Sequence, residues 1–169
     1  MHGWRTSAIS AITLLAVAAC SSAAATPTTP PAGSGFTADA LCALVTPEEV
    51  GGALGTTVGP GTPSGVNAPS CSWQASNASG ATIAASDPAS VGQIPYGMQN
   101  IPGPHVTAVN DLGDAAFFAS GASGTTAELD IRKGGRAITI TVGIADPNTT
   151  QAQQEAAELA IGTAAAQHM

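Results

Sequence analysis

Thr125-Thr126-Ala127-Glu128-Leu129-Asp130-Ile131-Arg132-Lys133-Gly134-Gly135-Arg136-Ala137-Ile138-Thr139-Ile140-Thr141-Val142-Gly143-Ile144 is the most strongly patterned part of the chain. From Thr125 to Arg132, Ala127, Leu129 and Ile131 alternate with polar neighbours. From Arg136 to Ile144, Ile138, Ile140, Val142 and Ile144 alternate, with Thr139 and Thr141 between them. A period of two puts each apolar set on one face of a strand. Lys133-Gly134-Gly135-Arg136 lies between the two runs. Glycine reaches the positive φ values of a tight primed turn without steric cost, so the stretch predicts a β-hairpin with one buried face.

Further strands are expected on both sides of this hairpin in the chain. Ser70 to Ala75 reads as a strand with Cys71 and Trp73 on one face. Ala81 to Ala85, Val106 to Val109 and Ala115 to Ser120 read as others, the last with Phe117 and Phe118 on opposite faces. Gly59 to Pro69 and Ser86 to Pro104 are rich in Gly or Pro and read as irregular. Asn110 to Asp114 reads as a turn, in which Asp111 and Asp114 have the ordinary role of bonding nearby backbone.

Helices flank the strands. Thr37 to Val45 forms a short one with Leu41, Leu44 and Val45 inward. Thr46-Pro47-Glu48-Glu49 is a helix start with Thr at the N-cap, Pro at the first turn and Glu49 closing a capping box. That helix stops at Gly55. Asp146-Pro147-Asn148 opens a C-terminal helix through about Ala166, with Ala152, Ala156, Leu159, Ala160 and Thr163 as its inward stripe. The fold class expected is α+β: an antiparallel sheet with a central-to-C-terminal hairpin, short N-terminal helices, and a C-terminal helix packed on one face.

The chain has 169 residues, 4 Lys+Arg against 11 Asp+Glu, and a formal net charge of −7. So few basic groups cannot neutralise a run of phosphates, and no nucleic-acid partner is expected. Hydrophobic residues are 44% of the chain, much of it alanine, and charged residues 9%. No run reaches the roughly 18 apolar residues of a spanning helix.

Residues 1–19 read instead as a lipoprotein signal. Arg5 supplies positive charge, Ala8 to Ala19 an apolar core, and Val17-Ala18-Ala19-Cys20 a lipobox-like end. Cys20 is the expected lipidation site: its thiol takes a diacylglycerol and its freed amine a fatty acyl chain. The competing reading is an ordinary secretory signal with Cys20 near the cut. Residues 20–35 are rich in Thr, Pro and Ala with no charge, as expected for a disordered tether. Residues 36–169 form the expected single domain. Its place is then the extracytoplasmic face of the cell membrane, held by lipid.

An exported domain with a sparse core calls for a covalent staple. Besides Cys20 only Cys42 and Cys71 remain, which leaves one pairing, or else two free buried thiols. Two cysteines and two distant histidines, His105 and His168, lack metal-ligand spacing, and no cofactor is expected. His105 and His168 stand in no catalytic motif, and there is no Gly-x-Ser-x-Gly. The segment from Gln93 to His105 carries Ile94, Tyr96, Met98 and Ile101 among prolines and glycines. These four are the candidate contacts for an apolar ligand or an envelope protein, unless they fold back as core.

The lipobox, the Thr/Pro tether, Leu41-Cys42-Ala43-Leu44-Val45-Thr46-Pro47-Glu48-Glu49, Cys71-Ser72-Trp73 and Leu112-Gly113-Asp114-Ala115-Ala116 occur together. The chain resembles a family of small actinobacterial, mycobacterial-type envelope lipoproteins with a Cys…Cys-x-Trp pattern, described as a domain of unknown function. The resemblance implies envelope attachment and a Cys42–Cys71 disulfide, and carries no reaction. The function expected is a membrane-anchored, non-enzymatic binding or interaction module. The alternative is a hydrolase acting on envelope components, which requires a nucleophile beside a perturbed base.

Overall fold

The computed structural model describes residues 35–93, 105–120 and 127–169. Its centre is the hairpin of β6 (Ala127–Lys133) and β7 (Arg136–Gly143). Lys133 pairs with Arg136 across Gly134 and Gly135, whose φ values are +58° and +77°. Both central residues of the turn are thus left-handed, as a primed turn demands.

The remaining strands are β1 (Thr62–Ser64), β2 (Ser70–Gln74), β3 (Gly80–Ala85), β4 (His105–Val109) and β5 (Ala115–Ser120). All seven form one sheet in the order β1-β2-β3-β7-β6-β5-β4, and every pairing is antiparallel. Two meanders, β1–β3 and β4–β7, therefore meet where β7 lies against β3. The helices are α1 (Ala38–Cys42), α2 (Pro47–Leu54) and α3 (Gln151–His168). The molecule is α+β, with a C-terminal helix packed on the sheet.

The helix-covered face holds the core. Trp73, Ile83, Leu129, Ile131, Ile138, Ile140 and Ile161 are fully buried there. Trp73 is 0% exposed, next to Cys71, which is bonded to Cys42 with the two Cα atoms 5.1 Å apart. The bridge ties the end of α1 to β2. Thr46 caps α2 through the full box: Glu49 N–H donates to Thr46 Oγ1 at 3.2 Å, and Thr46 N–H donates to Glu49 Oε2 at 2.7 Å. Gly55 ends α2 in the left-handed region at φ +65°. The hairpin tip is held from two sides. Arg136 stacks over the Phe36 ring at 5.2 Å, and Lys133 Nζ donates to the Ala166 carbonyl at the end of α3.

Four readings of the sequence need correction. The expected loop from Gly59 to Pro69 contains β1, whose Pro63 sits on the outermost strand, the place in a sheet where a missing N–H costs least. The first helix ends at Cys42, and Leu44 and Val45 are buried beyond it. Asp146 does not open α3. It accepts from Asn148 N–H at 2.8 Å in a turn of its own, and Thr150 is the N-cap, closing a second capping box with Gln153. Finally, the stripe of Ala152, Ala156, Leu159, Ala160 and Thr163 is not the inward face. Leu159 is 37% exposed, while Ala157, Glu158, Ile161, Gly162, Ala165 and Ala166 are buried. A fully buried glutamate hid that face from a reading that placed charge outside.

Candidate polar sheet face

Strand parity assigns the residues between the core positions to the opposite face of the sheet. The register there builds two cross-strand rows. One runs Thr62, Ser72, Thr82, Thr141, Glu128 across five strands. The next runs Ser64, Ser70, Ala84, Thr139, Asp130, Phe117 across six. Neighbouring members stand one strand spacing apart, about 4.8 Å. Ser72 Oγ and Thr82 Oγ1 share a hydrogen bond at 3.0 Å, Ser64 Oγ and Ser70 Oγ one at 2.8 Å, and Thr139 Oγ1 donates to Asp130 Oδ1 at 2.5 Å.

A third row explains the shape of this face. Gln74 pairs with Gly80, and Gly80 with Gly143. Gly143 leaves bare backbone beside the first hydroxyl row, while the Gln74 side chain lies over its buried partner Gly80. The result is a hollow of about 310 Å³ whose rim includes Gln74, Thr82 and Thr141. The two glycines differ. A Cβ on Gly80 would stand 2.6 Å from Gln74 Nε2 and 2.7 Å from the Trp73 carbonyl, whereas one on Gly143 would meet nothing within 4 Å.

The two carboxyls on this face titrate above the ordinary range. Burial pushes Glu128 up, and the neighbouring Asp130 charge adds to it. Burial also raises Asp130, which is 7% exposed, with the Thr139 hydroxyl pulling the other way. A third acid, Glu158, is pushed up to about 8 by burial, against the pull of the Val142 N–H and with support from Glu155 and Glu128. Its Oε2 has no hydrogen-bond partner, and neither has the buried indole N–H of Trp73.

The residues singled out from sequence are placed as follows. Cys42 and Cys71 are bonded to each other. Cys20 and the loop residues Ile94, Tyr96, Met98 and Ile101 lie outside the described residues. Asp114 Oδ2 accepts from Gly134 N–H at 2.8 Å and so anchors one turn to the hairpin tip. His105 shares a row with Ser120 and Ala127, on the opposite side of the sheet from Glu128 and Asp130. Among the described residues no group of three His, Cys, Asp or Glu is placed to hold a metal ion.

The polar face itself was missed by sequence reading. Its residues come from segments as far apart as Thr62 and Thr141, and only the register joins them. The alternation of Thr139 and Thr141 was the one local signal. No family model, no curated protein and no solved structure matches this chain.

Proposed function

We propose that this chain is an envelope lipoprotein, anchored by lipid on Cys20, that displays its domain outside the membrane and acts by binding rather than by catalysis. One observation carries the reading: the three cysteines divide into an oxidised pair, Cys42 and Cys71, and a third, Cys20, that ends an apolar run of small and branched residues. A disulfide persists in an exported compartment, and a cysteine behind such a run is where lipoprotein acylation takes place. The likeness of Cys71-Ser72-Trp73 and Leu112-Gly113-Asp114 to small actinobacterial lipoproteins supports the same placement. In this reading the anchor is the lipid on Cys20; among the described residues no helix is long and apolar enough to cross a membrane.

Binding is supported by the division of the sheet. One face is taken up by helices and core, and the other offers the Thr82 and Thr141 hydroxyls and the Gln74 amide around a hollow. The non-catalytic part is supported by placement: the imidazole of His105 and the acids of the polar face belong to opposite sides of the sheet. Asp130 also has a structural partner in Thr139, and Glu158, on the helix-covered side, has one in Val142.

The test is metabolic labelling with an alkyne fatty acid in a bacterium that processes lipoproteins. The wild-type chain is expected to take the label and sediment with membranes, and the Cys20→Ala variant to do neither. Label retained in Cys20→Ala, or absent from the wild type, overturns the anchor.

A further inference from the structure

We propose that the hollow lined by Gly80 and Gly143 is a binding site for an uncharged saccharide, with the chain of sugars continuing along the hydroxyl row of Thr141, Thr82 and Ser72. This rests on the reading of the polar face as the displayed binding surface and names its ligand class.

The lining decides the chemistry. A sugar hydroxyl both donates and accepts, and its best partners do the same. Thr82 and Thr141 hydroxyls and the Gln74 carboxamide each offer donor and acceptor together. No basic side chain lies in the three rows that form the site, while Glu128 follows Thr141 in the first of them, so an anionic ligand is disfavoured. A purely apolar ligand would cover the Thr141 hydroxyl and the Gln74 carboxamide without giving either a partner, Thr82 alone keeping its bond to Ser72.

The shape agrees. With no Cβ on exposed Gly143 and nothing within 4 Å of where one would stand, a flat ring can lie on the sheet backbone there, beside the Gln74 carboxamide that covers Gly80. About 310 Å³ is at the small end of ligand sites, enough for a sugar ring and too little for a folded partner. Thr82 and Thr141, which line the hollow, also belong to the first hydroxyl row. There the row steps outward at the strand spacing, so a linear chain leaving the hollow meets a new hydroxyl with each strand it crosses. Gln74 and Gly143 are exposed and Thr82 and Thr141 half-buried, so the groups are reachable from solvent. Each neutral hydrogen bond contributes modestly, so dissociation constants around a millimolar are expected.

The experiment is an amide-shift titration of the full ¹⁵N-labelled chain in detergent micelles with maltohexaose, cellohexaose and a linear mannohexaose, with an oligogalacturonate as the anionic control. At least one neutral chain is expected to move the amides of Gly80, Thr82, Thr141 and Gly143, and the control to leave them in place. Gly143→Val fills the hollow from a position with open space around its Cβ, and should weaken binding about tenfold while the melting temperature holds. Thr141→Val keeps the shape and removes one hydroxyl, and should weaken it about fivefold. It carries the test alone if Gly143→Val does not fold. The proposal is overturned if no neutral chain moves these amides at about 20 mM, well above the expected constant, if the anionic chain moves them equally, or if the variants bind like the wild type. Such a failure would leave the acylation of Cys20 untouched, and a failure of acylation would leave these shifts in place.

Discussion

Glu158 shows how much one buried side chain can change. The β6–β7 register ends with Glu128 opposite Thr141. The next β7 residue, Val142, gives its N–H to Glu158 Oε1 at 3.2 Å, so a side chain from α3 takes the place of a further strand residue. The carboxyl does this at 0% exposure, where its charge would face Glu155 on its own helix and Glu128 from β6. It stays neutral in the fold up to about pH 8, while the unfolded chain ionises it above about 4.5. Between those values the unfolded state holds fewer protons, so stability falls as pH rises, and the slope vanishes once both states are ionised. Glu158→Gln keeps the acceptor for Val142 and removes the ionisation. It is expected to gain on the wild type by a few kcal/mol at pH 8 and by almost nothing at pH 4.5. Urea midpoints across that range measure the gap, and a gap independent of pH would show that the carboxyl is charged in the fold.

At the level of elements, legibility followed locality. The β6–β7 hairpin was readable because its period and its Gly-Gly turn lie within twenty residues and agree with each other. The capping box at Thr46 was readable for the same reason. The inward face of α3 was not, because the rule that charge faces water fails for a neutral Glu158, and the exposed face offered a regular run of small residues in its place. The true face depends on Gly162. A Cβ there would stand 2.7 Å from Leu129 Cδ2 and 2.8 Å from Ile131 Cδ1, so α3 lies nearly in backbone contact with the sheet. Gly162→Leu would force the helix off β6 and should cost about 2–3 kcal/mol or more, read as a lowered urea midpoint. The larger side chain on the outward face, Ala160→Leu, is expected to be nearly neutral. If the two variants lose equally, the inward face has been assigned wrongly.

Among the described residues the sheet has a dry, helix-covered side and an opposite side that is open to water around Gly143 and Gln74, and its stability has to come from the dry one. Among the described residues that side is built from eight fully buried Trp, Leu and Ile side chains set among many alanines, and α1 reaches it through only five residues of helix. A five-residue helix has no independent stability, since nucleation costs more than its few hydrogen bonds return. The Cys42–Cys71 bridge is what fixes α1 to β2, and with it the entry into α2. The cysteines announced this pair in the sequence, because two thiols left in a domain read as exported have one way to join. The sheet order that makes the bridge useful was not announced, since β1 and β2 lie at one end of a sheet whose strongest signal, the hairpin, lies further in. Closing a loop with a separation of 29 residues removes enough unfolded-state freedom for about 3.5 kcal/mol. Reduced protein, or the Cys42→Ser/Cys71→Ser double variant, should therefore unfold at lower urea by that amount, followed by far-ultraviolet circular dichroism. The wet side does not depend on the bridge, because the Gly80–Gly143 and Thr82–Thr141 pairings belong to β3 and β7. In folded but reduced protein those amides should keep their shifts while those of α1 move. Loss of both together would mean that the two meanders fold as one cooperative unit whose stability the disulfide sets throughout.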